Sequence, residues 1–171
     1  MNISIIGMMG SGKTTVAKDL AQKLRDFSVI DTDAIIAEIE NLSINDIFKT
    51  KGEKYFRLLE TRVLGDILNN DNQIISTGGG IVLKDENIKM LKEKSVVFFL
   101  KASDEVLFER IKNDTSRPLL NCSDMKDRIT KILNERREKY EKAHHIIDTN
   151  NKNIEDIAGE IIRKSGINGN C

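Results

Sequence analysis

The sequence predicts an α/β fold in which helices cover both faces of a five-stranded parallel sheet, and three observations support it. Short apolar runs alternate along the chain with longer segments of helical periodicity, as in parallel sheets. A glycine-rich stretch, GMMGSGKTT at residues 7–15, lies between the first apolar run and the first helical segment. Two further motifs, at residues 31–33 and 77–80, follow later apolar runs. Because parallel sheets bind ligands at the carboxyl ends of their strands, we expect these motifs to converge.

Each element is predicted from its own periodicity. Strands are expected at residues 3–6, 28–30, 73–77, 95–100 and 144–148. Helices are expected at residues 13–25, 34–40, 43–69, 84–93, 103–113, 124–142 and 153–165, with a break near Gly52 in the third of them. The one long polar gap, NDTSRPLLNCSD, is predicted to be part of a mobile lid at about residues 112–124.

Length and composition indicate a single domain, residues 1–171. Lys and Arg number 27, as do Asp and Glu, so no overall positive field exists to hold nucleic acid or an anionic membrane. Cys122 and Cys171 form neither a disulfide framework nor a zinc pattern. No apolar run approaches the roughly 18 residues of a membrane span. We therefore expect a cytoplasmic protein, a monomer, whose anion sites are built locally.

The glycine-rich stretch matches the P-loop pattern G-x-x-x-x-G-K-[ST], with the required strand before it and helix after it. Its N–H groups and the helix N-terminus can cradle phosphates. Lys13 is expected to reach the β- and γ-phosphates, and the Thr14 hydroxyl to bind Mg²⁺. The sequence thus predicts an ATP site formed by Gly10, Ser11, Gly12, Lys13, Thr14 and Thr15.

Asp31 and Asp33 end the second predicted strand, where extended geometry would point both side chains to one side. One carboxylate could hold magnesium-bound water, and the other could take a proton from an attacking hydroxyl. An Asx turn or a helix cap explains the same residues as well. Asp31 is the best substitute for a Walker B acid, which the sequence lacks.

Gly78, Gly79 and Gly80 follow the third strand and would let a ligand approach the backbone closely. A tight turn is the alternative, although one glycine would usually serve. Arg57 and Glu60 are three residues apart on a predicted helix and can pair. On that stretch alone, a solvated surface pair is the better interpretation.

Arg136 lies on the apolar stripe of the sixth predicted helix, where a buried guanidinium needs an anion. The alternative is an arginine whose head group reaches out to solvent. Arg117, in the predicted lid, could close over the transferring phosphate or be an ordinary surface residue. Arg110, on the helix before the lid, could stack on adenine.

The combination of motifs resembles the shikimate kinases. GMMGSGKT, DTD, FR followed by Glu60, TGGG, RPLL and NERREKY occur in the order and spacing of that family, over residues 1 to about 153. The P-loop is shared with many kinases, whereas the DTD, GGG and RPLL set is far more specific. The resemblance implies a nucleoside-monophosphate-kinase-like fold with a substrate-binding region at about residues 32–60. It also implies transfer of the γ-phosphate of ATP to the 3-hydroxyl of shikimate with Mg²⁺, in aromatic amino-acid and chorismate biosynthesis.

The resemblance also implies residue roles. Asp33 resembles the residue that binds the ring hydroxyls and acts as the base. Arg57 and Arg136 resemble the clamp on the shikimate carboxylate, and Gly79 with Gly80 the backbone contact to the substrate. The ATP side is implied to include the lid residue Arg117 and the adenine-pocket residues Arg110 and Lys152.

Two regions depart from the family pattern. Glu138 and Lys139 stand where many members have proline near the tyrosine, and Ile154 stands where a proline often packs on adenine. An aliphatic side chain can still pack on a base, so ATP binding is expected to survive.

Other functions on the same scaffold make different predictions. A kinase of another small hydroxy acid, such as gluconate, would differ only in its acceptor. A nucleotide-dependent switch or binding module without a small acceptor would hydrolyse its nucleotide slowly whatever acid is present. If it used GTP it would need an N-K-x-D motif, which the chain lacks. A nucleotide kinase would need a base-reading pocket instead of a carboxylate clamp.

Overall fold

A computed structural model describes residues 1–112 and 124–167 of the chain. The described strands are β1 (Asn2–Ile6), β2 (Ser28–Asp31), β3 (Gln73–Ser76), β4 (Ser95–Lys101) and β5 (His145–Asp148). The described helices are α1 (Lys13–Lys23), α2 (Thr32–Glu40), α3 (Ile44–Ile67), α4 (Asp85–Lys94), α5 (Asp104–Ile111), α6 (Met125–Tyr140) and α7 (Ile154–Ser165). A short 3₁₀ turn, Ile81–Leu83, follows the three glycines.

The sheet has the strand order β2-β3-β1-β4-β5, and every pair of neighbouring strands is parallel. The central strands β1 and β3 are buried throughout, as their continuous apolar runs predict. The predicted five-stranded parallel sheet flanked by helices is therefore confirmed.

Two apolar cores cover the two faces of the sheet, because successive side chains of a strand point to opposite faces. Ile3 and Ile5 of β1 pack with α1 and α7, whereas Ile6 packs with α3, α4 and the buried Tyr140 of α6. The carboxyl ends of β2 and β3 border a cavity beside the P-loop. Among the described helices, none is long and apolar enough to cross a membrane.

One element differs from its prediction in a way that matters for the site. α2 begins at Thr32, directly after β2, so Asp33 lies in the first helical turn and not in extended chain. The expectation that Asp31 and Asp33 share one side of a strand is therefore wrong. The Asp31 side chain caps the helix, because its Oδ1 accepts hydrogen bonds from the N–H groups of Asp33 at 3.1 Å and Ala34 at 3.2 Å.

The predicted lid falls almost entirely on residues 113–123, outside the described residues. The prediction for Arg117 falls there too. Lys112 follows α5 and Asp124 precedes α6, so both described ends of this segment are helix ends.

Candidate active site

The loop between β1 and α1 has the surroundings that a phosphate site requires. α1 begins at Lys13, so the N-terminus of this helix, with its unpaired N–H groups and positive dipole end, borders the loop. The Lys13 ammonium donates hydrogen bonds to the carbonyls of Gly7 at 2.9 Å and Met8 at 3.0 Å. A cavity of about 450 Å³ opens beside the loop, and its lining includes Gly10, Ser11, Gly12, Lys13, Thr14 and Thr15. All the P-loop residues predicted to bind ATP therefore share one cavity, named here the nucleotide cavity.

The lining of the nucleotide cavity also includes Arg110, Ile154 and Ile157. Arg110 donates at 3.4 Å to the carbonyls of Gly10 and Thr149, which places its guanidinium between the P-loop and the end of the sheet. Lys152 is not in the lining, and its ammonium pairs with Glu160 of α7 at 2.7 Å. The structure thus brings Arg110 and Ile154 into the nucleotide cavity, but not Lys152, and their contact with adenine stays a prediction.

Three side chains whose oxygen atoms could bind a metal ion meet at the start of α1. The Thr14 hydroxyl donates to Asp31 Oδ2 at 3.0 Å and lies 3.2 Å from the buried Ser76 hydroxyl. Asp31 and Ser76 are register partners on β2 and β3, so the sheet itself places them side by side. The described residues contain no group of three His, Cys, Asp or Glu side chains that could hold a metal. A hydroxyl pair with one carboxylate nevertheless suits Mg²⁺, which keeps several waters and takes few protein ligands.

A second cavity, also of about 450 Å³, adjoins the first and is named here the acid cavity. Its polar lining holds Asp33, Arg57, Gly78, Gly79, Gly80 and Arg136, and its apolar wall includes Ile44, Phe48 and Phe56. Met9, Asp33 and Gly79 line both cavities. The residues predicted separately from four stretches of sequence therefore surround one space next to the P-loop.

Arg57 is held from several sides. Its Nη1 donates to Glu60 Oε2 at 2.7 Å, and its guanidinium carbon lies 5.1 Å from the ring centre of Phe56. A side chain at Gly80 would collide with this guanidinium, since a Cβ there would lie 2.4 Å from both terminal nitrogens. The side chain of Glu60 is 0% exposed and that of Arg57 is 14% exposed. The interpretation of Arg57 and Glu60 as a solvated surface pair is therefore wrong.

The acid cavity also holds two neighbouring carboxyl groups. Asp33 Oδ1 and Glu60 Oε1 both lie next to Gly78. A Cβ atom added at Gly78 would lie 2.5 Å from the first oxygen and 3.2 Å from the second. Burial raises the pKa of Glu60, and the negative charge of Asp33 raises it further, while Arg57 and Arg136 oppose the shift. Two guanidinium groups and two carboxyl groups therefore face this cavity, and Arg57 and Arg136 are the groups able to bind an anionic ligand.

Arg136 reaches the acid cavity from α6, and its Nη1 donates to the carbonyl of Gly79 at 3.0 Å. Its head group therefore lies over the glycine loop and does not extend into solvent. Tyr140, one turn later, donates to the same carbonyl at 2.6 Å. Lys139 is one of the two residues that depart from the family pattern next to Tyr140. Its ammonium donates to the carbonyl of Leu83 at 2.9 Å.

Ser76, Phe48 and Tyr140 are among the residues in or next to these cavities that sequence reasoning did not assign to the site. Ser76 immediately precedes the TGGG motif, so its place at a strand end was readable from the pattern. Phe48 lies before the break in α3, which removes the helical spacing that would connect it to Phe56. The contact of Tyr140 with Gly79 joins residues 61 positions apart, and only the tertiary fold brings them together.

The nucleotide cavity and the adjoining two-arginine cavity define a P-loop kinase that acts on a small molecule. The family model described as shikimate kinase matches residues 9–165 of the chain. This chain therefore belongs to the shikimate kinase family, which consists of ATP-dependent kinases that transfer phosphate to shikimate. A curated shikimate kinase of Thermodesulfovibrio yellowstonii is 44% identical over 163 residues, which cover 95% of this chain and 94% of the relative.

Solved structures agree with this assignment. Shikimate kinase from Acinetobacter baumannii in complex with shikimate is 34% identical, with a TM-score of 0.90 over 95% of this chain and 91% of that one. Shikimate kinase from Bacteroides thetaiotaomicron is 29% identical, with a TM-score of 0.91 over 98% and 99% of the two chains. The predicted family and its nucleoside-monophosphate-kinase-like fold are thus confirmed.

Proposed function

We propose that the two cavities divide the substrates of the shikimate kinase reaction between them. ATP binds in the nucleotide cavity and shikimate in the acid cavity, and the γ-phosphate passes to the 3-hydroxyl to give shikimate 3-phosphate and ADP. The observation that carries this proposal is the position of Asp33, whose side chain lines both cavities. A carboxylate at the boundary can accept a hydroxyl proton where the phosphoryl group arrives.

Asp33 acts as the general base. Its carboxylate accepts the proton of the 3-hydroxyl as the oxygen forms its bond to the γ-phosphorus, and the bond from that phosphorus to the bridging oxygen of ADP breaks. Lys13 exchanges a backbone carbonyl for phosphate oxygens and neutralises their charge as the group moves. Arg117 is assigned to the phosphates by its sequence motif, and this assignment stays a prediction.

Thr14, Asp31 and Ser76 fit Mg²⁺ by their chemistry, since all three present oxygen atoms on neighbouring elements. Thr14 would bind the ion directly, and Asp31 would hold its water. The ion supplies positive charge to the β- and γ-phosphates when it is bound. Asp31 meanwhile keeps its cap on α2, which fixes the position of Asp33 two residues later.

The carboxylate of shikimate binds between Arg57 and Arg136. Paired guanidinium groups bind a carboxylate through charge-assisted hydrogen bonds, which are about twice as strong as neutral ones. The rings of Phe48 and Phe56 supply an apolar wall for the carbocycle. Gly78, Gly79 and Gly80 let the ligand approach the backbone.

A coupled assay of ADP release, with and without shikimate, tests the function directly. We expect release to depend on shikimate and to be at background with gluconate and other hydroxy acids. Release that is indifferent to every acid would contradict the proposal. Release with another acid alone would move the chain to the gluconate-like alternative.

The carboxylate clamp is tested by Arg136→Ala, with Arg137→Ala as the matched control. Arg137 is the next residue of α6 and is exposed. We expect Arg136→Ala to raise the shikimate KM at least tenfold while the ATP KM stays constant, because a charge-assisted pair is lost. A shikimate KM equal to that of Arg137→Ala would remove Arg136 from the clamp.

A cytoplasmic location and a monomeric state stay predictions, to be checked by fractionation and sedimentation.

A further inference from the structure

Two side chains of α6, Tyr140 and Arg136, donate hydrogen bonds to one backbone oxygen, and only the tyrosine is held there by packing. Tyr140 and Arg136 both bind the Gly79 carbonyl, at 2.6 and 3.0 Å. Tyr140 is fully buried, and its ring stacks on Phe99 of β4 with ring centres 4.9 Å apart and an interplanar angle of 11°. The tyrosine hydroxyl is therefore fixed with respect to the sheet, whereas the longer Arg136 side chain can turn toward a ligand.

The Gly79 carbonyl determines where the next N–H points. In a trans peptide, the C=O of one residue and the N–H of the next point in opposite directions, and the described chain contains no cis peptide. Tyr140 thus turns the Gly80 N–H away from α6. In the described part of the chain, this N–H donates to no protein acceptor, although Gly80 is buried. A buried N–H calls for an acceptor, and Gly80 lines the acid cavity against the Arg57 guanidinium.

We propose that Tyr140 is a positioning residue for the acid substrate, because its hydroxyl holds the Gly79–Gly80 peptide so that the Gly80 N–H faces the substrate carboxylate. This rests on the proposed function, in which the two arginines bind that carboxylate. When Arg136 turns to the acid, Tyr140 remains as the donor on the Gly79 carbonyl. Burial also raises the pKa of Tyr140, so its hydroxyl keeps its proton and stays a donor at neutral pH.

The test is Tyr140→Phe, which keeps the ring and its stacking and removes only the hydroxyl. We expect the shikimate KM and Kd to rise roughly five- to tenfold, the size of one ordinary hydrogen bond. The kcat should stay within about twofold, and the ATP KM should not change. Tyr55→Phe is the matched control, since Tyr55 is the only other tyrosine and donates to Glu40 at 2.6 Å on the surface.

An analogue with a hydroxymethyl group in place of the carboxylate separates positioning from general structural damage. If Tyr140 acts through the carboxylate contact, Tyr140→Phe weakens binding of shikimate but not of this alcohol, as measured by calorimetry. Equal weakening of both ligands, or a parallel rise in the ATP KM, would overturn the proposal. Behaviour like that of Tyr55→Phe would overturn it as well. The proposed function fails separately, if the unmutated enzyme does not phosphorylate shikimate.

Nuclear magnetic resonance gives a second readout that does not use activity. The chain has 11 glycines, so selective ¹⁵N-glycine labelling gives a readable spectrum. We expect the Gly80 amide resonance to shift strongly when shikimate binds to the unmutated protein, and weakly in Tyr140→Phe. The unmutated protein tests whether the Gly80 N–H contacts shikimate, and the comparison with Tyr140→Phe tests whether Tyr140 directs it there. A Gly80 resonance that shikimate leaves in place would overturn the proposal.

Discussion

At the scale of the residue, Asp33 has the most demanding position in the site. Its carboxyl group lies beside that of Glu60 and lines the boundary between the two cavities. The first turn of α2 holds it there, and the Asp31 cap holds that turn. A short, capped helix end fixes the proposed general base more precisely than an extended loop would, which is why the start of α2 at Thr32 matters.

Asp33→Asn should lower kcat by a factor of about 10² or more, because the amide cannot accept the hydroxyl proton as a carboxylate does. The side chain keeps its shape, so the midpoint of thermal unfolding should change little. Steady-state ADP release at saturating ATP and shikimate measures the effect. Near-normal turnover would end the assignment of Asp33 as the base.

Glu60 links the site to pH. Its pKa is raised in the folded state, chiefly by burial, so the native protein holds this proton at pH values where the unfolded chain has lost it. Protonated Glu60 therefore stabilises the folded state fully below about pH 4.5, and this stabilisation is lost as the pH rises through the raised pKa. Glu60→Gln removes this titration.

We expect Glu60→Gln to become more stable relative to the unmutated protein, that is, its free energy of unfolding to become larger by comparison, as the pH rises above about 4.5. Urea unfolding across that range measures the difference. Glu53→Gln is the control, because Glu53 also contacts Arg57, at 3.4 Å, but its side chain is largely exposed. A difference between Glu60→Gln and the unmutated protein that does not vary with pH would contradict the assignment.

At the scale of the element, the break in α3 shapes the acid cavity. Gly52 has φ 81° and ψ 165°, a region that essentially only glycine occupies. The segment before it carries Ile44 and Phe48, and the segment after it carries Phe56 and Arg57. The break therefore lets one helical stretch supply the apolar wall and one arm of the clamp from different directions.

Gly52→Ala should destabilise the protein by about 1–3 kcal/mol, the cost of a strained backbone at one residue. It should also raise the shikimate KM, since the two halves of α3 would shift relative to each other. Gly65→Ala is a control in the same helix. Its φ is negative and a Cβ there meets nothing within 4 Å, so this change should be neutral or stabilise by about 0.5–1 kcal/mol. Chemical denaturation of both variants gives the comparison, and equal effects would contradict it.

At the scale of the whole molecule, sequence reasoning succeeds where the signal is local. The strands and the P-loop depend on short-range periodicity and on a fixed motif, and the strands it predicts agree with the fold. It fails at Asp33, where helix α2 begins two residues earlier than predicted, and at Glu60, whose burial depends on what α3 packs against. The contact of Tyr140 with Gly79 spans 61 residues, and no window of sequence contains it.

The separation of the two cavities makes a prediction for the stability of the whole molecule. A ligand at 100 times its Kd stabilises the folded state by about 2.7 kcal/mol. For a domain of this size, each kcal/mol raises the midpoint of thermal unfolding by roughly 2–4 °C. Shikimate and Mg²⁺-ADP, tested separately, should therefore each raise the midpoint by about 5–10 °C.

Arg136→Ala separates the two effects, because Arg136 lines only the acid cavity. At a shikimate concentration 100 times the Kd of the unmutated protein, this variant should lose most of the shikimate shift and keep the full nucleotide shift. Arg137→Ala should keep both. Differential scanning calorimetry measures the three proteins side by side. Loss of both shifts in Arg136→Ala would mean that the cavities do not bind their ligands independently, and that the carboxylate clamp also supports the nucleotide site.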